Sequence, residues 1–183
     1  AYPALLAAAF MGRQDLYDLL MEYHADPEIK GEGNLTLLHC AAYGNMPGLC
    51  ERLIREGMDP NARDADGATP LYYAAMNGAE GAATALLRAK ATPEAKASEN
   101  MTPLFIAAGF GHIGVCQLLL SAGADASSRA EAGYTALQLS AERGFPEICR
   151  LLMDHGADPN SPADGGWTPL HGIAEYSNKT DVL

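Results

Sequence analysis

Leu5, Leu38, Leu71, Leu104, Leu137 and Leu170 stand 33 residues apart without an insertion or deletion, and Ala9, Ala42, Ala75, Ala108, Ala141 and Ala174 keep the same interval. A period of that length, held along the whole chain, means that each unit is a small supersecondary element. It cannot bury its apolar face alone and must be covered by its neighbours. The register leaves no room for an internal linker, so residues 1–183 are expected to form one elongated domain. Its units fall at 1–33, 34–66, 67–99, 100–132 and 133–165, with a partial unit at 166–183. Such an array offers no central cleft but a long surface tiled by equivalent positions.

Within the unit, the clearest copies begin Thr69-Pro70-Leu71, Thr102-Pro103-Leu104 and Thr168-Pro169-Leu170-His171. Threonine before proline predicts an N-cap followed by a residue whose missing N–H costs nothing in the first turn. The small alanines that follow let the next helix approach closely. A first helix of eight to ten residues should stop near Gly12, Gly78, Gly111 and Gly144. A second helix follows almost at once, opened by Pro47 and Pro146 in two copies and carrying Leu20, Leu53, Leu86, Leu119 and Leu152. It ends on runs such as Gly156-Ala157-Asp158-Pro159-Asn160, and a hairpin-like connector such as Asp64-Ala65-Asp66-Gly67 leads to the next threonine.

Helix, turn, helix and projecting turn at 33 residues, with Thr-Pro-Leu-His and Gly-Ala-Asp-Pro-Asn elements, is similar to the ankyrin repeat family along essentially the whole chain. The resemblance implies an all-α solenoid with antiparallel helices in two layers, and turns projecting at right angles to form a concave face. His24 and Lys90 replace the glycine that ends the second helix, and a residue with a Cβ in the left-handed region costs on the order of 1 kcal/mol. The third unit also places Gly81, Ala82, Ala83 and Ala85 where others carry larger residues, so 79–99 is expected to be the softest segment. Neither end supplies a clear capping unit, which suggests a segment of a longer protein.

Net charge is −11, with −4 over residues 1–33, zero over 67–99 and −3 over 133–165. This argues against nucleic-acid binding, which draws on many Lys and Arg contacts to phosphate. A basic partner would gain favourable steering. No apolar run approaches the roughly 18 residues of a membrane span. Cys50, Cys116 and Cys149 recur at one place of the unit, too far apart for disulfides, and read as small core residues in a reducing, intracellular compartment.

Catalytic readings find little support. No HExxH, GxSxG or GxxxxGK[ST] occurs, and no Cys/His cluster has metal-ligand spacing, so neither an enzyme nor a cofactor is expected. In the family the resemblance points to, the histidine of the motif, here His39 and His171, ties neighbouring turns together. Asn34 and Asn100 match the glycosylation sequon but occupy the turn place that Gly67 and Gly133 fill elsewhere, where a positive φ is tolerated.

The informative residues are those the repeat does not require. Before the threonines stand Leu35, Ala68, Met101, Tyr134 and Trp167. Seven or eight places after it stand Phe10, Met11, Tyr43, Met76, Asn77, Phe110, Arg143 and Tyr176. The resemblance places them along the concave groove, where aromatics and Met would anchor a partner. The alternative is that Tyr134, Trp167 and Met101 only stiffen neighbouring turns. Glu32, Arg63, Asp66, Lys96, Glu99, Arg129, Glu131 and Asp164 would form the polar rim. The expected function is a non-catalytic module, monomeric in isolation, that binds a protein or peptide and neither nucleic acid nor membrane. The rival is a docking segment of a larger enzyme, channel or receptor; small-ligand recognition stands further off.

Overall fold

A computed structural model describes residues 3–169 and 171. Five helical hairpins follow one another: α1 (Ala4–Phe10) with α2 (Gln14–Glu22), α3 (Leu37–Tyr43) with α4 (Pro47–Arg55), α5 (Pro70–Met76) with α6 (Glu80–Arg88), α7 (Pro103–Phe110) with α8 (Ile113–Ser121), and α9 (Ala136–Glu142) with α10 (Pro146–Asp154). The first helices α1, α3, α5, α7 and α9 pack side by side in one layer, and α4, α6, α8 and α10 in another.

The threonines begin the first helices as expected. The hydroxyls of Thr69, Thr102 and Thr135 accept the N–H groups of Tyr72, Phe105 and Gln138 at 3.2–3.4 Å. Helix α7 has the expected eight residues and the other four have seven, one fewer than expected, because the chain turns left-handed within two residues of each helix end. Gly12, Gly78, Gly111 and Gly144 have positive φ, and Asn45 holds the same place in the second unit at φ 52°. At the second-helix ends, His24 (φ 60°) and Lys90 (φ 67°) adopt the left-handed geometry of the glycines they replace.

Packing is thin and complete. Ala41, Ala42, Ala74, Ala75, Ala107 and Ala108 are fully buried between neighbouring units, together with Leu38, Leu71, Leu53, Leu86 and Leu119. Gly44 shows how close the approach is: a Cβ there would overlap the Ala9 carbonyl of the preceding unit. Cys40, Cys50, Cys116 and Cys149 are buried and outside any disulfide, and burial pushes the thiols of Cys50 and Cys116 up to about 12, far from a thiolate at neutral pH.

Between hairpins the chain projects as fingers tipped by tight turns, with Asn34, Gly67, Asn100, Gly133 and Gly166 all at positive φ. The first three fingers are joined at their tips: Ala65 N–H donates to Gly33 O at 2.7 Å and Ser98 N–H to Asp66 O at 2.8 Å.

Candidate partner-binding face

The fingers stand over the first helices. Tyr73 on α5 donates its hydroxyl to Asp64 of the finger before it at 2.8 Å, and Tyr134 of the fourth finger donates to Glu142 on α9 at 2.7 Å. Finger residues one and five places before the threonine therefore share one face with helix residues seven and four places after it.

On this face Phe10 and Tyr43 lie ring on ring, centroids 3.9 Å apart and 8° from parallel. Phe110 is half exposed; the Arg143 guanidinium sits 5.7 Å from its centroid on one side and the His112 ring 6.2 Å away. Met11 is 62% exposed, and Trp167 is stacked on His171 with centroids 5.1 Å apart. Met76, Met101 and Tyr134 are partly buried against the core. Leu35 departs from expectation: it is buried and belongs to the core, so it offers no side chain to a partner. Tyr176 lies outside the described residues.

Asn77 and Arg143 have a structural task that the sequence did not reveal. A helix leaves its last carbonyls without partners, and here the following unit supplies them. Asn77 Nδ2 donates to Tyr43 O at 2.9 Å, His112 Nε2 to Met76 O at 3.1 Å, and Arg143 Nη1 to Gly109 O at 3.0 Å. Three successive junctions thus close with an amide, an imidazole and a guanidinium. Two face residues were also missed, Tyr73 and Leu139, four places after their threonines; Leu139 leans so close to Gly109 that a Cβ there would strike it. The signal was the period itself, since that place is never occupied by a polar residue in the described units.

The rim residues fall into two groups. Arg63 Nη1 donates to Gly67 O at 2.9 Å and to Lys96 O of the next finger at 2.7 Å; Arg129 Nη1 repeats this with Gly133 O at 3.1 Å and Pro162 O at 2.9 Å. These two arginines, expected as rim, are staples between fingers. Glu32, Asp66, Lys96, Glu99, Glu131 and Asp164 are exposed.

His39 makes the tie the resemblance implies. Its Nδ1 lies 3.3 Å from Thr36 N–H and so accepts, which puts the proton on Nε2, 3.2 Å from Ala68 O on the next finger. The ring is fully buried, and burial holds its pKa below the usual value. Gln138 reproduces the arrangement in the fifth unit: Oε1 accepts from Thr135 N–H at 2.8 Å and Nε2 donates to Trp167 O at 2.7 Å.

No helix among the described residues is long and apolar enough to cross a membrane. No curated protein matches the chain by sequence. The family model for ankyrin repeats matches it in three overlapping copies, at residues 4–97, 37–130 and 104–183. Repeats of this kind are in general protein–protein interaction modules and typically non-catalytic. With the motif, the 33-residue register, the stacked hairpins and the family match in agreement, the chain belongs to the ankyrin repeat family.

Proposed function

We propose that this chain is a non-catalytic module that takes a peptide or folded protein partner across the face formed by its fingers and first helices. One observation carries the reading: large apolar side chains stand exposed on that face at places the stack does not need, with Phe110 half exposed at its middle. The stacked pair Phe10–Tyr43 extends the apolar strip toward one end and Trp167 toward the other. Rigid aromatic side chains supply contact area at low conformational cost, which suits them as anchors.

Affinity capture from the source cell tests this, with wild type set against the Tyr43→Ala/Phe110→Ala variant. Loss of about 2 kcal/mol or more of partner affinity, with the thermal unfolding midpoint kept within a few degrees, is the expected result. Equal retention of the same partners by both proteins would reject the face as the binding surface.

A further inference from the structure

Arg129 is exposed and reaches from the fourth finger to the fifth with part of its guanidinium unsatisfied. Nη1 is held by the Gly133 and Pro162 carbonyls, and Nη2 donates to the Ser161 hydroxyl at 2.5 Å. Nε–H makes no hydrogen bond among the described residues, and no carboxylate there forms an ion pair with the group. Nε and Nη2 share one edge of the guanidinium, with donors in a fixed fork. Arg13 shows what that edge does with an anion: its Nε and Nη2 grip the two oxygens of Asp15 at 2.9 and 2.7 Å. Arg63 builds the same staple on Gly67 O and Lys96 O, with Ala95 at the place of Ser161. The staple therefore does not need the hydroxyl.

The serine is also presented to solvent. Asp158, Pro159, Asn160 and Pro162 are exposed, and Ser161 is half-buried among them. Pro162 keeps the backbone of Ser161 out of the helical region, toward the extended form in which kinases take their substrates. We infer that Ser161 is a phosphorylation site and that Arg129 receives the phosphate. In a proline-directed serine kinase the Ser161 oxygen attacks the γ-phosphorus of ATP. The bond from that phosphorus to the ADP oxygen breaks, and the hydroxyl proton passes to the kinase's carboxylate base. The product carries close to two negative charges beside the Nε and Nη2 edge of Arg129, and their pairing adds charge-assisted bonds between the fourth and fifth fingers. Asp158, which borders the same small cavity, and Asp164 oppose it. Thr92 is exposed and also precedes a proline, but it bonds no guanidinium among the described residues.

The test has two parts. The full chain and its Ser161→Ala variant are treated with ATP and a set of purified proline-directed kinases, and fragmentation mass spectrometry locates the phosphate. Separately, the full chain and its Arg129→Gln variant are made with phosphoserine placed at 161 during translation. Phosphorus NMR follows the second ionisation of that phosphate against a short phosphoserine peptide spanning 157–165. Thermal unfolding compares each protein with its unphosphorylated form.

Kinase treatment should place phosphate on Ser161, and Ser161→Ala should carry none in that loop. In the folded chain the second ionisation, near pH 6 in a free phosphoserine, should fall to about pH 5.5 or below, because a guanidinium favours the dianion. Arg129→Gln should return it to the peptide's value or above it, since Asp158 and Asp164 remain. The phosphate should raise the unfolding midpoint by about 2–4 °C with Arg129 in place and lower it in Arg129→Gln. Absence of phosphate on Ser161 with every kinase would overturn the acceptor role. An ionisation in the folded chain at or above that of the peptide would overturn the role of Arg129, a comparison that does not depend on the variant folding. A midpoint shift of the same sign with and without Arg129 would overturn it as well.

Discussion

The second and fifth units differ from the third and fourth at one place, three residues after the threonine. His39 and Gln138 reach from the helix start to the next finger, so that the cap and the finger are held by one side chain. Tyr72 and Phe105 occupy that place in the middle units and fill it with a ring, at 7% and 9% exposure. There the caps rest on the threonine alone, and polar ties to the next unit are made at the loops behind the helices instead. Glu94 of the third unit binds Asp125 N–H and the Ser128 hydroxyl at 3.0 and 2.7 Å, and the Ser127 hydroxyl of the fourth donates to Gly156 O at 3.3 Å. One volume can thus be filled by a polar tie or by apolar area, provided the neighbouring turn is secured elsewhere.

Several substitutions would break or sharpen this contrast. His39→Ala empties a buried site and orphans Thr36 N–H, so urea unfolding should show a loss of about 3 kcal/mol. His39→Gln should stay within about 1 kcal/mol of wild type, because Gln138 makes the same pair of bonds in the same frame; a cost equal to that of His39→Ala would end the equivalence. The two proteins should also separate with pH. The folded-state pKa of His39 lies below its unfolded value near 6.5, so the unfolded chain takes the proton first. Its contribution is therefore whole above about pH 6.5 and falls as the pH drops below it. Wild type should lose more stability than His39→Gln between pH 7.5 and pH 5, as read from urea midpoints.

A smaller effect is expected in native-state amide exchange. Helix α6 buries Ala82, Ala83 and Ala85 where α8 has Val115, Cys116 and Leu118. At about 25 cal/mol per Å² of apolar area, the missing methyl groups predict protection in 79–99 lower by about 1–2 kcal/mol than in the fourth unit. Equal protection would mean that the loop ties of Asn61, whose Oδ1 accepts from Thr92 N–H at 2.7 Å, and of Glu94 make up the difference. Arg63→Lys should cost about 1 kcal/mol, since the two N–H groups of Nη1 are fixed in the guanidinium plane toward both carbonyls, whereas a lysine gives up more rotamer freedom to hold them. The reverse change, Lys96→Arg, offers the third finger the same staple and should gain about 0.3 kcal/mol in the same urea assay.

Much of the fold was legible because local rules repeat. Threonine caps, left-handed stops and buried alanines each answer to the chain within a few residues, and their recurrence turned weak signals into one register. Even the replacements His24, Lys90 and Asn34 followed from position, since the turn there leaves no other backbone geometry. The face was legible as a set of places but less so residue by residue. Asn77 and Arg143 looked free to vary, yet each reaches a helix-end carbonyl 34 residues back in sequence, and His112 reaches one 36 back. The task is constant while the side chain and even the position change from junction to junction, so no periodic pattern marks it. Leu35 was misplaced for a simpler reason: the place before the threonine points inward or outward according to the side chain it carries, buried for Leu35 and exposed for Trp167.

The three carbonyl closures also give the stack a grain along its length. The Asn77 amide is a neutral donor, whereas Arg143 brings a full charge to the negative end of α7 and holds Phe110 under its guanidinium. Added salt weakens the second far more than the first. Pulled from its ends, such a rod has seams of unequal strength, and the ionic strength of its surroundings decides which one parts first.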